Sequence, residues 1–220
     1  MTVAQAFTII RFITNTNATT AVDATLLRSM SERHKQMFIE LTKLKEGYGE
    51  TSATVNTVNG TQGYTMPTDM IRLKRVEIQY ATDGTWRPVK IFDINEASST
   101  NDTTSIASNF SKDEPYGDLV GTTFNLYPIP DASVTGGLKW WYIANPADLT
   151  ATSDTPTAPA EYHRLLCDLV AIDIRKMKAE LSGSTALVEE EAIWRHLKNQ
   201  VSPRALSQDN MVKPLRVNYE

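Results

Sequence analysis

Hydrophobic positions recur with a helical period at both ends of this chain and with a period of two through its middle. Residues 1–14 place Val3, Phe7 and Ile10 on one helical face, with Ala6, Ile9 and Ile13 beside it. The run "TNTNATT" (14–20) ends that pattern with side chains that compete for their own backbone. The next stretch carries Leu27, Met30, Met37, Leu41 and Leu44. With His34 in the gap, the spacing alternates between three and four, the seam of a packed helix pair. Asp23 or Thr25 is the expected N-cap and Gly47 the expected stop. The five bases and four acids of this stretch are assigned to its other faces.

From Tyr48 to about Thr150, β-formers alternate with polar residues and are punctuated by Gly, Asn and Pro. "SATVNTVNGTQGYTMP" predicts a hairpin around Asn59-Gly60, a favoured tight-turn pair. "MIRLKRVEIQY" and "WRPVKIFDI", joined by "ATDGT", predict a second, with Asp83-Gly84 at its tip. "GTTFNLYPIP" and "GLKWWYIAN", joined by "DASVTGG", predict a third. Three consecutive hairpins imply an antiparallel sheet or small sandwich. Between the second and third, residues 98–109 hold ten Ser, Thr, Asn or Asp among twelve, so 98–112 reads as a mobile polar loop.

Helix returns after a Thr/Asp/Pro bridge. Pro159 suits a first turn and Glu161 the positive end of the helix dipole. Leu165, Leu166, Leu169, Ile172 and Met177 give a wide apolar face that predicts helix to about Leu181. "SGS" (182–184) breaks that helix and caps the next, and Pro203 ends it. The remainder has no helical period and reads as an extended tail. It mixes Arg204, Lys213 and Arg216 with Met211, Leu215, Val217 and Tyr219, a composition suited to docking on a partner. The expected fold is α+β: a bundle of N- and C-terminal helices packed with a central antiparallel β-sheet or small sandwich. Its divisions are 1–47 (helices), 48–150 (β-region), 151–202 (bridge and helices) and 203–220 (tail).

The 220 residues carry a net charge of −4, and the acidity is local. Twelve acids and seven bases lie between Tyr48 and Thr150. Nothing in this balance attracts phosphate generally. A single cysteine, Cys167, excludes a disulfide within the chain and any zinc site built on Cys pairs. No apolar run reaches the roughly 18 residues of a membrane span. "AQAFTIIRFIT" lacks a basic leader and a cleavage site, so the expected setting is a reducing cytoplasm with no membrane anchoring.

Catalytic chemistry has little to stand on. His34 sits in a helix seam, His163 and Asp168 fall on different faces, and His196 suits a helix C-terminal end. No metal-ligand pair, serine elbow or phosphate loop is present, so the expectation is no enzyme, no cofactor and no metal. Strand alternation sends Trp140 and Tyr142 to one face and Trp141 to the other. With no basic cluster beside them in sequence, a covered central strand is favoured over a stacking surface. A carbohydrate-binding module using Trp86, Trp140 or Trp141 stays open as a rival reading.

Three phrases, "YTMPTDMIRLKRVEI", "PYGDLVGTTFNLYPIPDAS" and "LKWWYIANPADLTATSDTPTAPAEYHRLLCDLVAIDI", stand in an order similar to that of the head-to-tail adaptor (connector) proteins of tailed bacteriophages. The resemblance spans about residues 23–182. It implies a structural virion protein of the phage neck, made in the bacterial host cytoplasm. Copies would form a ring of about twelve under the portal, and DNA would pass through without sequence-specific binding. It further implies a tail (Arg204, Met211, Lys213, Leu215, Arg216, Val217, Tyr219) that reaches the portal protein. Loops carrying Asp83, Trp86, Asn101, Asp102 and Phe110 would face the downstream tail, nozzle or head-closure protein. Leu27, Met30, Met37, Leu41, Leu165, Leu169 and Ile172 would form the subunit core. A different neck or tail-completion (head-closure) protein is the alternative within the virion.

Overall fold

The computed structural model describes residues 1–80, 85–92 and 110–201. These form an α+β structure of four α-helices and one curled seven-stranded sheet, in two compact units: residues 1–48 with 146–201, and residues 49–145.

The helical unit contains α1 (Val3–Ile13), α2 (Asp23–Leu44), α3 (His163–Met177) and α4 (Gly183–Val201). A reciprocal capping box between Thr2 and Gln5 opens α1. The cap expected for α2 is corrected: Val22 holds the N-cap position without a side-chain bond, and Asp23 is the first helical residue. The Asp23 carboxylate instead accepts from Arg11 at 2.5 Å, and the same guanidinium donates to the Ala21 carbonyl. A tertiary partner outcompeted the local cap. Ser182 does cap α4, its hydroxyl accepting from the Thr185 amide.

α3 is the hub of this unit. Nine of its fifteen residues are buried, because it meets α1, α2 and α4 on different sides. Its apolar positions join Val3, Phe7 and Ile10 of α1 with Leu26, Met30, Met37 and Leu41 of α2 in one core. The helix stops at Met177 rather than near Leu181, and Ala179 turns the chain at φ 54°. Met177 is consequently 59% exposed and lies outside the apolar face assigned to it. Pro159 precedes a single 3₁₀ turn (Ala160–Tyr162), not the first turn of α3 itself.

The β unit contains β1 (Glu50–Thr57), β2 (Gly63–Thr65), β3 (Met70–Ile78), β4 (Arg87–Ile91), β5 (Tyr116–Val120), β6 (Thr123–Tyr127) and β7 (Val134–Ala144). Their order across the sheet is β1-β7-β3-β4-β5-β6-β2. Of the three expected hairpins, only β3–β4 pairs as such, Val76 opposite Val89; its tip lies outside the described residues. The Asn59-Gly60 turn forms, with the Thr61 amide bonded to the Val58 carbonyl, but β1 pairs with β7 and β2 with β6. Likewise β6 and β7 are not neighbours. Phe124 of β6 meets Trp140 of β7 edge-on at 5.3 Å across the interior of the curl.

A tight hairpin the sequence reading did not single out joins β5 to β6 through Gly121-Thr122. Gly121 takes φ 61°, the positive value that a turn of this kind requires at its first central position. One pairing is parallel, Lys90–Ile91 of β4 against Tyr116–Gly117 of β5, so the expectation of a purely antiparallel sheet is corrected there. Residues 92–115 intervene between those strands, far too many for a hairpin and enough for a crossover. The core of the curl is Tyr64, Val76, Ile78, Tyr80, Val89, Phe124, Leu126, Leu138, Trp140 and Tyr142.

Candidate interaction surfaces

The bridge between β7 and α3 is strapped to the helices. The amides of Val3 and Ala4, free at the start of α1, donate to the carbonyls of Asp154 and Thr152 at 2.9 Å each. Asp154 gathers the Thr150 and Ala151 amides, and these bonds hold its carboxyl below the usual range. Ser31 of α2 accepts from the Leu149 amide and donates to Asp148, which also pairs with Lys35.

Both buried histidines serve this bridge. The Thr157 amide donates to His34 Nε2 at 3.1 Å, so that nitrogen is the acceptor and Nδ1 carries the proton. His163 Nε2 donates to the Ala158 carbonyl at 2.8 Å. Both imidazoles are thus committed to backbone within two consecutive residues. Burial, with smaller contributions from His163 and Lys35, pushes the His34 pKa down. His196, by contrast, is exposed and meets Gln200.

Arg33 is the main polar tie between α2, α3 and α4. It bonds both carboxylate oxygens of Asp173 at 2.6 and 2.8 Å, both of Glu190 at 2.6 and 3.2 Å, and the Gln36 side-chain oxygen at 2.9 Å. Ser29 adds a bond to Asp173, and Lys176 a pairing to Glu190. The carboxylates raise the Arg33 pKa, Asp173 foremost, and its guanidinium in turn lowers that of Glu190. Sequence reading assigned Arg33, with the other charged residues of α2, to faces away from the seam. Its signal was available: it lies three residues after Met30 and four before Met37, on the seam itself.

The core residues named from sequence are placed as follows. Met30, Met37, Leu41 and Leu169 are essentially inaccessible, Leu165 and Ile172 are buried, and Leu27 packs at the edge of the core. Cys167 is fully buried, and burial pushes its thiol up to about 12, so it presents no thiolate. Asp168 is raised mainly by burial and pairs with Arg164, not with His163. Among the described residues no group of His, Cys, Asp and Glu could hold a metal ion, and no helix is long and apolar enough to cross a membrane.

In the β unit, Trp86 is 40% exposed and Phe110 half-buried. Phe110 stacks on Phe92 at 5.7 Å, and Tyr116 and Tyr127 complete an aromatic cluster that sequence spacing did not reveal. Trp140 and Tyr142 face the core and Trp141 the other side, as alternation requires. The sheet does bring bases to Trp141: Lys139 lies 4.3 Å and Arg75 5.2 Å from its ring centre, while Glu77 accepts from its Nε1 at 2.8 Å. Lys139 also approaches Trp86, at 5.9 Å. The missing basic neighbours come from the adjacent strand and the same strand two residues away. They fill the ring's surroundings with the protein's own cations, which leaves a braced sheet face rather than an open stacking platform. Asp83, Asn101, Asp102 and all seven tail residues, from Arg204 to Tyr219, lie outside the described residues.

Compared with known proteins, the chain matches the family described as SU10 adaptor protein over residues 1–209. No curated protein matches it.

Proposed function

Because the chain belongs to the SU10 adaptor protein family of phage head-to-tail adaptors, we propose that it assembles as a ring between portal and tail, a structural rather than catalytic component of the virion. The observation that carries this is the match itself. It spans both compact units and the bridge between them, not a single shared fragment. Ring subunits need rigid bodies joined through heterologous contacts. The Arg33 network and the strapped bridge supply rigidity in the helical unit.

In this reading about twelve copies surround a channel through which DNA passes without sequence-specific contacts. The helical unit packs on its neighbours, and residues 203–220 reach the portal protein through Arg204, Met211, Lys213, Leu215, Arg216, Val217 and Tyr219. The β unit, with Trp86 and Phe110 and the loops bearing Asp83, Asn101 and Asp102, meets the next tail, nozzle or head-closure component. The interactions order segments at an entropic cost that the new contacts must exceed.

The test is retention of the purified chain on immobilised portal rings. Wild type is expected to bind, and a chain ending at Val201 to bind much more weakly. Equal binding by both chains would contradict the role given to residues 203–220.

A further inference from the structure

α4 is nineteen residues long, yet only Ala186 and Leu197 are fully buried along it, with Ile193, Trp194 and Val201 partly packed on the core. It packs chiefly on α3, and between α4 and α2 a groove of about 640 Å³ stays open. Ile39, Trp194 and the 66% exposed Leu187 supply its apolar lining; Glu40, Glu190 and Glu191 make its charged lining mainly acidic, with Lys198 the one base. An amphipathic helix with so small a buried share has a face awaiting a cover.

The chain offers that cover itself. α4 ends at Val201, three residues past Lys198, and Pro203 prevents its continuation. The nineteen residues that follow carry three bases (Arg204, Lys213, Arg216) against two acids (Asp209, Glu220), and Leu215, Val217 and Tyr219 alternate as one strand face would. From Leu187 to Lys198 the groove runs about 16 Å at 1.5 Å per helical residue. A segment of this length spans up to about 60 Å when extended. It reaches the whole groove, and attachment at one end gives it a millimolar-range effective concentration that no separate partner has at ordinary dilution.

We propose that residues 202–220 fold back into the α2/α4 groove of their own chain in the free protein, so that binding the portal first requires their release. The groove contact is autoinhibitory; its regulatory meaning rests on the portal reading above, but its existence does not.

The experiment is hydrogen exchange of the full chain at low micromolar and at tenfold lower concentration. The comparison variants are L215D/V217D/Y219D and a chain ending at Val201. Residues 36–40 of α2 are the readout, since they line the groove without being continuous with the tail. Severalfold faster exchange there in both variants, at unchanged circular dichroism and independent of dilution, is the expected result. Identical exchange in all three proteins would overturn the proposal. Protection that disappears on dilution would overturn it too, assigning the groove to a second copy. Adding portal rings separates the two readings. Protection in the free chain with no portal binding would defeat only the portal role, and portal binding without protection would defeat only the groove.

Discussion

Arg33 shows how one side chain can carry more structure than its class announces. It is 11% exposed in its side chain and has two carboxylates as partners from two other helices. Removing it leaves Asp173 and Glu190 facing each other without their common cation. R33M is expected to destabilise the fold by about 2–4 kcal/mol in chemical denaturation, below or at the range for a fully buried pair because both acids keep some solvent. Glu190 sets the acid side of this contact. Its folded pKa lies below the unfolded one, so the stability it contributes is complete above the unfolded value and is lost as pH falls through the folded value.

His34 titrates with the opposite chemistry and the same sign. Its buried ring resists protonation, so below about pH 6.5 the unfolded chain binds a proton that the folded chain does not, and stability falls with pH over that window. H34Q, which keeps an acceptor for the Thr157 amide, is expected to flatten the slope of unfolding free energy below about pH 6.5. An unchanged slope would mean that another group titrates there. H34A removes the acceptor of the partly buried Thr157 amide bond and should cost about 0.5–1.5 kcal/mol. Gly117 is decisive for a steric reason: a Cβ there would stand 2.1 Å from the Phe124 ring. G117A is expected to lower stability by about 1–3 kcal/mol through overpacking, read from its denaturation midpoint.

At the scale of elements, the helices were legible because their signals are local. The three-four spacing of α2, the apolar face of α3 and the Ser182 cap all lie within a few turns of chain, and each helix formed there, although α3 starts after a 3₁₀ turn and stops four residues short of Leu181. Strands were legible too, but their partners were not. A tight-turn pair such as Asn59-Gly60 bends the chain without deciding who lies alongside. β7, eleven residues long and apolar on its inner face, recruited β1 and β3 on its two edges, while β2 and β6 paired elsewhere. Nothing between Thr57 and Gly63 reports that outcome, since it depends on residues about 80 positions away. The cap of α2 failed for the same reason: Arg11, twelve residues earlier, claimed Asp23. The difference between hub and rim helices yields a direct comparison. L169A in α3 is expected to cost about 2–5 kcal/mol, whereas V188A on the exposed side of α4 should stay within about 0.5 kcal/mol of wild type.

For the whole molecule, the resemblance carried by phrase order and the family match agree, although no catalytic motif anchors either. An assembly protein announces itself through texture: helix ends around a β-rich middle, a long bridge, and a tail too apolar to be a simple spacer. The bridge proved more ordered than its Thr/Asp/Pro composition implies, because α1 and α2 supply bonding groups at nearly every turn of it. The role of individual tail and loop residues was not legible, since no local period or motif in the sequence marks what they contact. The most direct measurement is native mass spectrometry of the purified chain with and without its portal ring. The account predicts about twelve copies bound to each portal, with binding weakened when the chain ends at Val201. No association with the portal, while the chain remains folded, would contradict it.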